Sequence, residues 1–145
     1  MRRRVFVFLA GLAFTTAVAG CGRKPPPGPD LAPVHPVHGR ITLPSKTPLR
    51  GGIIWFSPTE VNVGGKVRYE GAGLVDAQGN YKIGFANNDA GVAAGEYKVT
   101  IQPREDVELP NSNSNRIPAK YREQSSSPLI VTVKEGDNTF DFDLK

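Results

Sequence analysis

Glu96-Tyr97-Lys98-Val99-Thr100-Ile101 is the stretch from which the rest of the chain can be read. Tyr97, Val99 and Ile101 fall on every second position, with Glu96, Lys98 and Thr100 between them. A period of two places the apolar set on one face of an extended strand and the polar set on the other. The preceding Ala94-Gly95 reads as the turn that leads the chain into this strand.

The same period recurs on both sides. Val37-His38-Gly39-Arg40-Ile41-Thr42-Leu43 alternates apolar or small with polar residues. Ala72–Asp76 runs into the turn signal Ala77-Gln78-Gly79-Asn80, after which Tyr81, Ile83 and Phe85 alternate. Leu129, Val131 and Val133 alternate, Gly136-Asp137-Asn138 marks a turn, and Phe140, Phe142 and Leu144 alternate with Asp141 and Asp143. Ile53-Ile54-Trp55-Phe56 is a continuous apolar run, as in a strand buried on both sides or near an edge. No segment keeps apolar residues at i, i+3, i+4 and i+7 over three helical turns.

Seven short strands with Gly, Pro and Asn punctuation predict an all-β fold, a single seven-stranded antiparallel β-sandwich of transthyretin-like or Ig-like type over residues 37–145. A domain of about 110 residues buries roughly two-thirds of its unfolded surface and can stand without disulfides. The expected inward set is Ile41, Val75, Tyr81, Ile83, Val99, Ile101, Val131, Val133, Phe140, Phe142 and Leu144, together with either Ile53 and Trp55 or Ile54 and Phe56. In Asp76-x-x-Gly79-x-Tyr81, Asp76 is expected to cap the hairpin turn, Gly79 to take a positive φ and Tyr81 to begin the next buried face.

The order of four motifs carries a resemblance: Val37-His38-Gly39-Arg40-Ile41, Leu49-Arg50-Gly51-Gly52-Ile53-Ile54-Trp55-Phe56, Gly73-Leu74-Val75-Asp76-Ala77-Gln78-Gly79-Asn80-Tyr81 and Ala94-Gly95-Glu96-Tyr97-Lys98-Val99-Thr100-Ile101. Together they resemble the carboxypeptidase regulatory-like, transthyretin-like domain found in small secreted bacterial lipoproteins. Ile117-Pro118-Ala119-Lys120-Tyr121, Ser127-Pro128-Leu129 and Gly136-Asp137-Asn138-Thr139-Phe140-Asp141-Phe142 are similar to the C-terminal part of that subgroup. The resemblance covers residues 37–145 and implies a fold; it implies no activity, because one fold hosts many roles.

Ahead of this domain the sequence changes character. Met1–Arg4 is a positive n-region, and the 13 residues Val5–Ala17 are an apolar h-region. That is shorter than the roughly 20 residues needed to span a bilayer. Val18-Ala19-Gly20-Cys21 follows and resembles the bacterial lipobox. The reading is a lipoprotein signal over residues 1–20, cleaved between Gly20 and Cys21. The Cys21 thiol takes a diacylglyceryl group as a thioether, and its freed amine takes a further acyl chain such as palmitate. Two or three chains anchor stably, at about 0.8 kcal/mol per buried methylene. Gly22, rather than an Asp, leans the expected location toward the outer membrane. The remaining alternative is an ordinary signal peptide or hydrophobic anchor with an incidental cysteine.

Residues 21–36 read as the lipidated Cys21 and a Pro-rich linker. Six of the fifteen residues Gly22–Pro36 are proline, so helix and central strand are excluded. An extended polyproline-like spacer reaches on the order of 40 Å from the lipid surface at about 3 Å per residue.

The formal charge of +4 comes from 18 basic and 14 acidic residues. Removing Arg2, Arg3 and Arg4 with the leader leaves 15 basic residues, and the balance falls to +1. No basic stripe with interleaved aromatics remains, which argues against nucleic acid as a partner. A single cysteine excludes an internal disulfide and any Cys-built metal cage.

Candidate chemistry is thin. His35 and His38 are three apart and, on an extended chain, face opposite sides, so surface or structural roles outweigh metal binding. Asp137, Asp141 and Asp143 with Asn138 make an acidic end, but the alternation with Phe140 and Phe142 reads as a solvated face rather than a calcium site. A Lys46–Asn138 or Lys120–Asn138 isopeptide is the remaining covalent candidate. HExxH, GxSxG, P-loop and GxGxxG motifs are absent from the sequence. Neither catalytic nor metal-binding residues are assigned, and no cofactor is expected.

The segment Pro103–Pro128 separates two strands by 26 residues, a length that is uncommon for a plain loop. Asn111–Asn115 is polar and reads as mobile, whereas Ile117, Pro118 and Tyr121 are apolar enough to dock back on the domain. Arg116, Lys120, Tyr121 and Arg122 are the candidate recognition residues, with Arg116, Lys120 and Arg122 projecting at one end. The competing reading is a long crossover whose Tyr121 packs and whose remainder is solvated.

The sequence as a whole leads to the expectation of a cell-envelope protein, lipid-anchored through Cys21 and facing the periplasm or the exterior. Its β-sandwich is expected to be a non-catalytic interaction domain for an envelope protein or a glycan. The alternative is a structural envelope component without a discrete ligand.

Overall fold

Each of the seven stretches expected to be a strand contains one. The computed structural model describes residues 28–84, 90–104 and 110–145. In chain order the strand segments are β1 (Val34–His35), β2 (Val37–Thr42), β3 (Ile53–Pro58), β4 (Asn62–Val63), β5 (Lys66–Val67), β6 (Gly71–Leu74), β7 (Asn80–Lys82), β8 (Val92–Ala93), β9 (Gly95–Gln102), β10 (Ile130–Val133), β11 (Asn138–Thr139) and β12 (Phe142–Asp143). Two single-turn 3₁₀ helices, Ser114–Arg116 and Ala119–Tyr121, are the only helical pieces among the described residues. Among these residues no helix is long and apolar enough to cross a membrane. The signal sequence, its cleavage point and Cys21 lie outside the described residues, as does Phe85.

β9, which carries the opening motif, is the hub of the larger sheet. The order β10-β9-β3-β6 is antiparallel throughout, with Ile54 opposite Ile101 and Phe56 opposite Val99. In a second sheet β2 is central, with β7 antiparallel on one side and β11 and β12 on the other.

Both of the latter pairings are parallel, with Asn138 opposite Val37 and Phe142 opposite Ile41. This corrects the expectation of an entirely antiparallel domain. Alternation fixes which face a residue takes, but it says nothing about strand direction. Here the chain crosses from β10 in one sheet to β11 in the other and so arrives parallel to β2. β11 and β12 are two halves of one edge, interrupted at Phe140–Asp141. At the interruption the Arg40 amide donates to Asp141 Oδ1 at 2.8 Å, a side chain standing in for the missing backbone carbonyl.

The two sheets share one core. Ile54, Phe56, Tyr97, Val99 and Ile101 meet Val37, Ile41, Tyr81, Ile83, Phe142 and Leu144. The choice left open in the apolar run resolves to Ile54 and Phe56, both fully buried, while Ile53 and Trp55 turn outward and are half-buried. Val131 and Phe140, expected inside, are only partly buried against the core. The Phe56 ring lies 6.4 Å from Tyr81, 6.1 Å from Tyr97 and 6.2 Å from Phe140, tilted against each. It ties the sheets together with the aromatic geometry that contributes beyond area burial alone.

At one edge the sheets are joined directly. Ala72 and Gly84 exchange both backbone hydrogen bonds at 2.9 Å, which links β6 to the chain just after β7. Gly73 permits this approach, because a Cβ there would stand 2.3 Å from the Lys82 carbonyl oxygen.

The linker stretch also differs in part from its expected form. From Asp30 onward the backbone is paired to the domain. Val67 donates to the Asp30 carbonyl at 2.9 Å, Ala32 donates to that of Val67 at 3.1 Å, and β1 pairs with β8. Prolines at 33 and 36 are compatible with this because β1 is a two-residue edge segment.

Candidate functional site

The Asp76 hairpin sets one wall of the site. Asp76 Oδ1 accepts the amides of Gln78 and Asn80, both at 2.8 Å, and Oδ2 accepts Asn80 Nδ2 at 3.2 Å. Gly79 takes φ +86° within the turn. Burial pulls the Asp76 carboxyl upward, but the hydrogen bonds from Asn80, Gln78 and Gly79 outweigh it and hold the group below its ordinary value. The turn is therefore rigid, and it fixes the register in which β7 returns beside β2.

That register puts His38 opposite Lys82, Gly39 opposite Tyr81 and Arg40 opposite Asn80. Tyr81 and Gly39 point inward. The Tyr81 hydroxyl donates to the Phe140 carbonyl at 2.6 Å, and burial followed by the nearby Asp141 charge pushes its pKa well above the usual tyrosine range. His38, Arg40, Asn80 and Lys82 point outward. With Thr139 and Asp141 from the C-terminal edge, and Ala72 and Leu74 from β6, they line an open groove of about 740 Å³. Apart from Asp76 in the hairpin turn and Asp141 at the break in the edge, its polar groups stand on strands, so their spacing is set by sheet geometry.

Within the groove, Arg40 Nε donates to the Gln78 carbonyl at 3.1 Å, which leaves the end of the guanidinium toward solvent. Lys82 is exposed and forms no ion pair among the described residues. His38 Nε2 and Thr139 Oγ1 are 3.0 Å apart, and His38 Nδ1 lies 3.3 Å from Asp137 Oδ1. A hydroxyl, an imidazole and a carboxylate in this order are the parts of an activated nucleophile. Here the His38 and Asp137 side chains are 41% and 67% exposed, so water competes for both contacts. Thr139 and His38 are directly paired across β11 and β2, and the arrangement fastens that parallel edge.

The residues singled out in the sequence scatter. His35 Nδ1 accepts the Gly136 amide at 3.1 Å, whereas His38 pairs with Asp137 and Thr139. Asp137, Asp141 and Asp143 are engaged separately, with His38, the Arg40 amide, and Thr42 plus Lys46 respectively. Hydrogen bonds from Thr42 and Lys46, chiefly the latter, hold Asp143 below its usual range. Among the described residues no three His, Cys, Asp or Glu side chains are placed to share a metal ion. Asn138 spends its amide on the carbonyls of Lys134 and Gly136, while Lys46 pairs with Asp143 and Lys120 lies over Tyr121.

In the long segment, Ile117 and Tyr121 dock into the core as expected. The Tyr121 hydroxyl accepts the Lys145 amide at 3.1 Å. Arg122 does not project. Its Nε and Nη2 donate to the Ile117 carbonyl at 2.9 and 2.7 Å, and Nη2 also donates to that of Asn115 at 2.9 Å. The guanidinium thus satisfies carbonyls that the short helical turns leave open. Lys120 lies over the Tyr121 ring at 5.1 Å, and Arg116 is exposed.

Asn111–Asn115, expected to be mobile, is pinned. Asn113 exchanges bonds with Arg50, accepting its amide at 2.7 Å on Oδ1, and donates through Nδ2 to the Pro48 carbonyl at 3.0 Å. Low-complexity composition hides these bonds because each is made to a backbone group some 60 residues away.

Of the groove residues, Arg40, Lys82 and Thr139 were legible only as polar positions between apolar ones, and His38 only as half of a histidine pair read as structural or surface. The one available signal was a basic pair, His38 and Arg40, on the outward face of a strand. Compared with family models, curated proteins and solved structures, the chain matches none.

Proposed function

We propose that this chain is a lipid-anchored envelope protein whose β domain is a non-catalytic binding module. The observation that carries the proposal is the open groove of about 740 Å³ lined by His38, Arg40, Lys82, Leu74 and Asp141. It combines an apolar wall with a few fixed polar groups, the usual make-up of a ligand site. Its partner is a segment of an envelope protein or a glycan, reached from the membrane through the lipid on Cys21. The finer fold assignment, a transthyretin-like sandwich of the carboxypeptidase regulatory-like type, is part of the same proposal. It is supported by two sheets sharing one core and by the order of the four motifs. The domain is proposed to face the periplasm or the exterior, on the outer membrane.

The test is crosslinking and affinity capture of the full, lipidated protein from intact cells. An Arg40→Gln/Lys82→Gln variant and an Arg116→Ala/Lys120→Ala variant run beside it. One stoichiometric protein or glycan, lost only with the first variant, establishes the groove as the site. Loss only with the second returns the site to the long segment. Bulk envelope capture that is identical for all three leaves a structural component without a discrete ligand.

A further inference from the structure

His38 with Lys82 and Arg40 with Asn80 are the two outward pairs of the β2–β7 ladder. The ladder bonds fall on the alternate residues, with Ile41 donating to the Gly79 carbonyl at 2.8 Å and Ile83 to that of Val37 at 2.9 Å. Both outward pairs are therefore of the non-hydrogen-bonded kind, in which side chains stand closest, with Cβ atoms about 5 Å apart across a pair and about 7 Å apart on the diagonal. Arg40 and Lys82 occupy one such diagonal on one face of the sheet, and both are exposed.

Their charged heads are short of acceptors. Arg40 Nε donates to the Gln78 carbonyl at 3.1 Å, and neither Nη forms a hydrogen bond or ion pair among the described residues. Lys82 Nζ forms none either. The two carboxylates of the groove are turned to other work. Asp76 accepts the amides of Gln78 and Asn80 and the Asn80 side chain, and Asp141 Oδ1 accepts the Arg40 amide. The groove thus presents solvent with N–H donors on two fixed cations. The Nη pair is a planar fork that matches a carboxylate, and Lys82 puts a second positive charge beside it.

The wall on the β6 side is apolar. Ala72 and Leu74 point outward there, and Leu74 is 57% exposed. The ring in the lining, Tyr81, is buried and turned inward, so a sugar would find no exposed aromatic face to stack on. A peptide with an acidic side chain next to an apolar one meets both parts of the groove, and its carboxylate supplies the acceptor that Arg40 and Lys82 lack.

We infer that the groove recognises an acidic peptide segment, whose carboxylates are held by Arg40 and Lys82 and whose apolar side chains rest on Leu74. This deepens the proposed function and rests on its groove, not on its lipid anchor.

The test titrates the full acylated protein, in nonionic detergent micelles, with the peptide acetyl-Leu-Glu-Leu-Glu-Leu-Glu-amide, and reads amide chemical shifts and heat. A peptide with Gln for Glu, one with Ser for Leu, and an oligogalacturonate are titrated alongside. The acidic peptide is expected to shift the amides of residues 38–40 and Asn80–Lys82, and to bind at least tenfold more tightly than its Gln analogue and several-fold more tightly than its Ser analogue. Its affinity should fall as salt is raised. Arg40→Gln/Lys82→Gln should weaken it at least tenfold and Leu74→Ser several-fold, while Arg116→Ala/Lys120→Ala should leave it unchanged. Unmoved Val99 and Ile101 amides report that each variant is folded. Equal binding of either analogue overturns the inference. Tighter binding of the oligogalacturonate at the same amides also overturns it, in favour of an acidic glycan, and leaves the groove standing as a site. If no titrant moves these amides at millimolar concentration the inference falls, and the groove falls with it only where capture from intact cells is also indifferent to Arg40→Gln/Lys82→Gln.

Discussion

The Tyr81 hydroxyl meets the Phe140 carbonyl at 2.6 Å, at the point where the C-terminal edge strand breaks between β11 and β12. One buried side chain from β7 thus reaches past β2 to hold the strand on its far side. Tyr81→Phe keeps the ring but leaves that carbonyl without its donor. The expected loss is about 1–3 kcal/mol in urea unfolding, with faster exchange in residues 140–144. Unchanged stability would mean that the bond contributes nothing net.

Tyr81 also sets an alkaline limit. Its neutral form is favoured in the fold, so its folded pKa lies above the ordinary 10.0. The contribution is fully present below the unfolded value and declines as pH rises past 10. Absorbance titration near 295 nm should show a late component in which Tyr81 ionises only as the protein unfolds, and the Tyr81→Phe variant should show less of it.

Asp76 gives the opposite limit. Its folded pKa lies below the ordinary 3.8, so the turn contributes stability above that value and loses it as pH falls through the folded pKa. Asp76→Ala should cost about 1 kcal/mol at pH 7, discounted for exposure of the turn. The difference from wild type should shrink at acid pH. A constant difference across pH in paired denaturation curves would remove the carboxylate from the explanation.

Gly39 cannot carry a side chain. A Cβ at this position would stand 1.9 Å from the Phe140 carbonyl oxygen, with the Tyr81 hydroxyl 3.0 Å away. Gly39→Ala therefore forces the C-terminal edge off β2 and should destabilise by roughly 2–3 kcal/mol or more. The same measurement on Gly136→Ala isolates backbone strain from crowding, since a Cβ at Gly136 would meet nothing within 4 Å although φ is +93°. Gly136→Ala should lose only about 1 kcal/mol.

Arg122→Ala should loosen the whole run from Asn115 to Arg122, because three side-chain bonds to the carbonyls of Asn115 and Ile117 disappear together. Limited proteolysis should cut there at least several-fold faster than in wild type. Arg116→Ala, at an exposed position, should leave the cleavage rate unchanged. Equal rates for the two variants would show that the guanidinium does not brace the segment.

How far the sequence reached follows from what alternation encodes. Tyr97, Val99 and Ile101 name an inward face without any knowledge of the partner strand, and all three are buried. In Ile53-Ile54-Trp55-Phe56 there is no alternation to read, and only the pairing of Ile54 with Ile101 and Phe56 with Val99 selects the inner pair. Strand direction was illegible for the same reason at Phe142, whose face is plain but whose parallel partner Ile41 is a hundred residues away. The groove escaped notice because its members are individually ordinary polar residues, and only the register of β2 with β7 and β11 gathers them. Asp30–His35 looked like spacer because proline content reports what a segment cannot pair with in a sheet interior, and it says little about edges.

The parallel docking of Asn138–Asp143 on Val37–Thr42 bears on how the chain is made. The first full strand waits for a partner synthesised about a hundred residues later, and closing so long a loop is slow. Until residues 138–143 emerge, one edge of β2 stays open and Gly39 lacks the Phe140 carbonyl that packs against it. A fold whose first full strand is sealed by its C-terminal edge delays its own completion. Timing of this kind needs no chaperone-specific motif; it is built into which strand comes last.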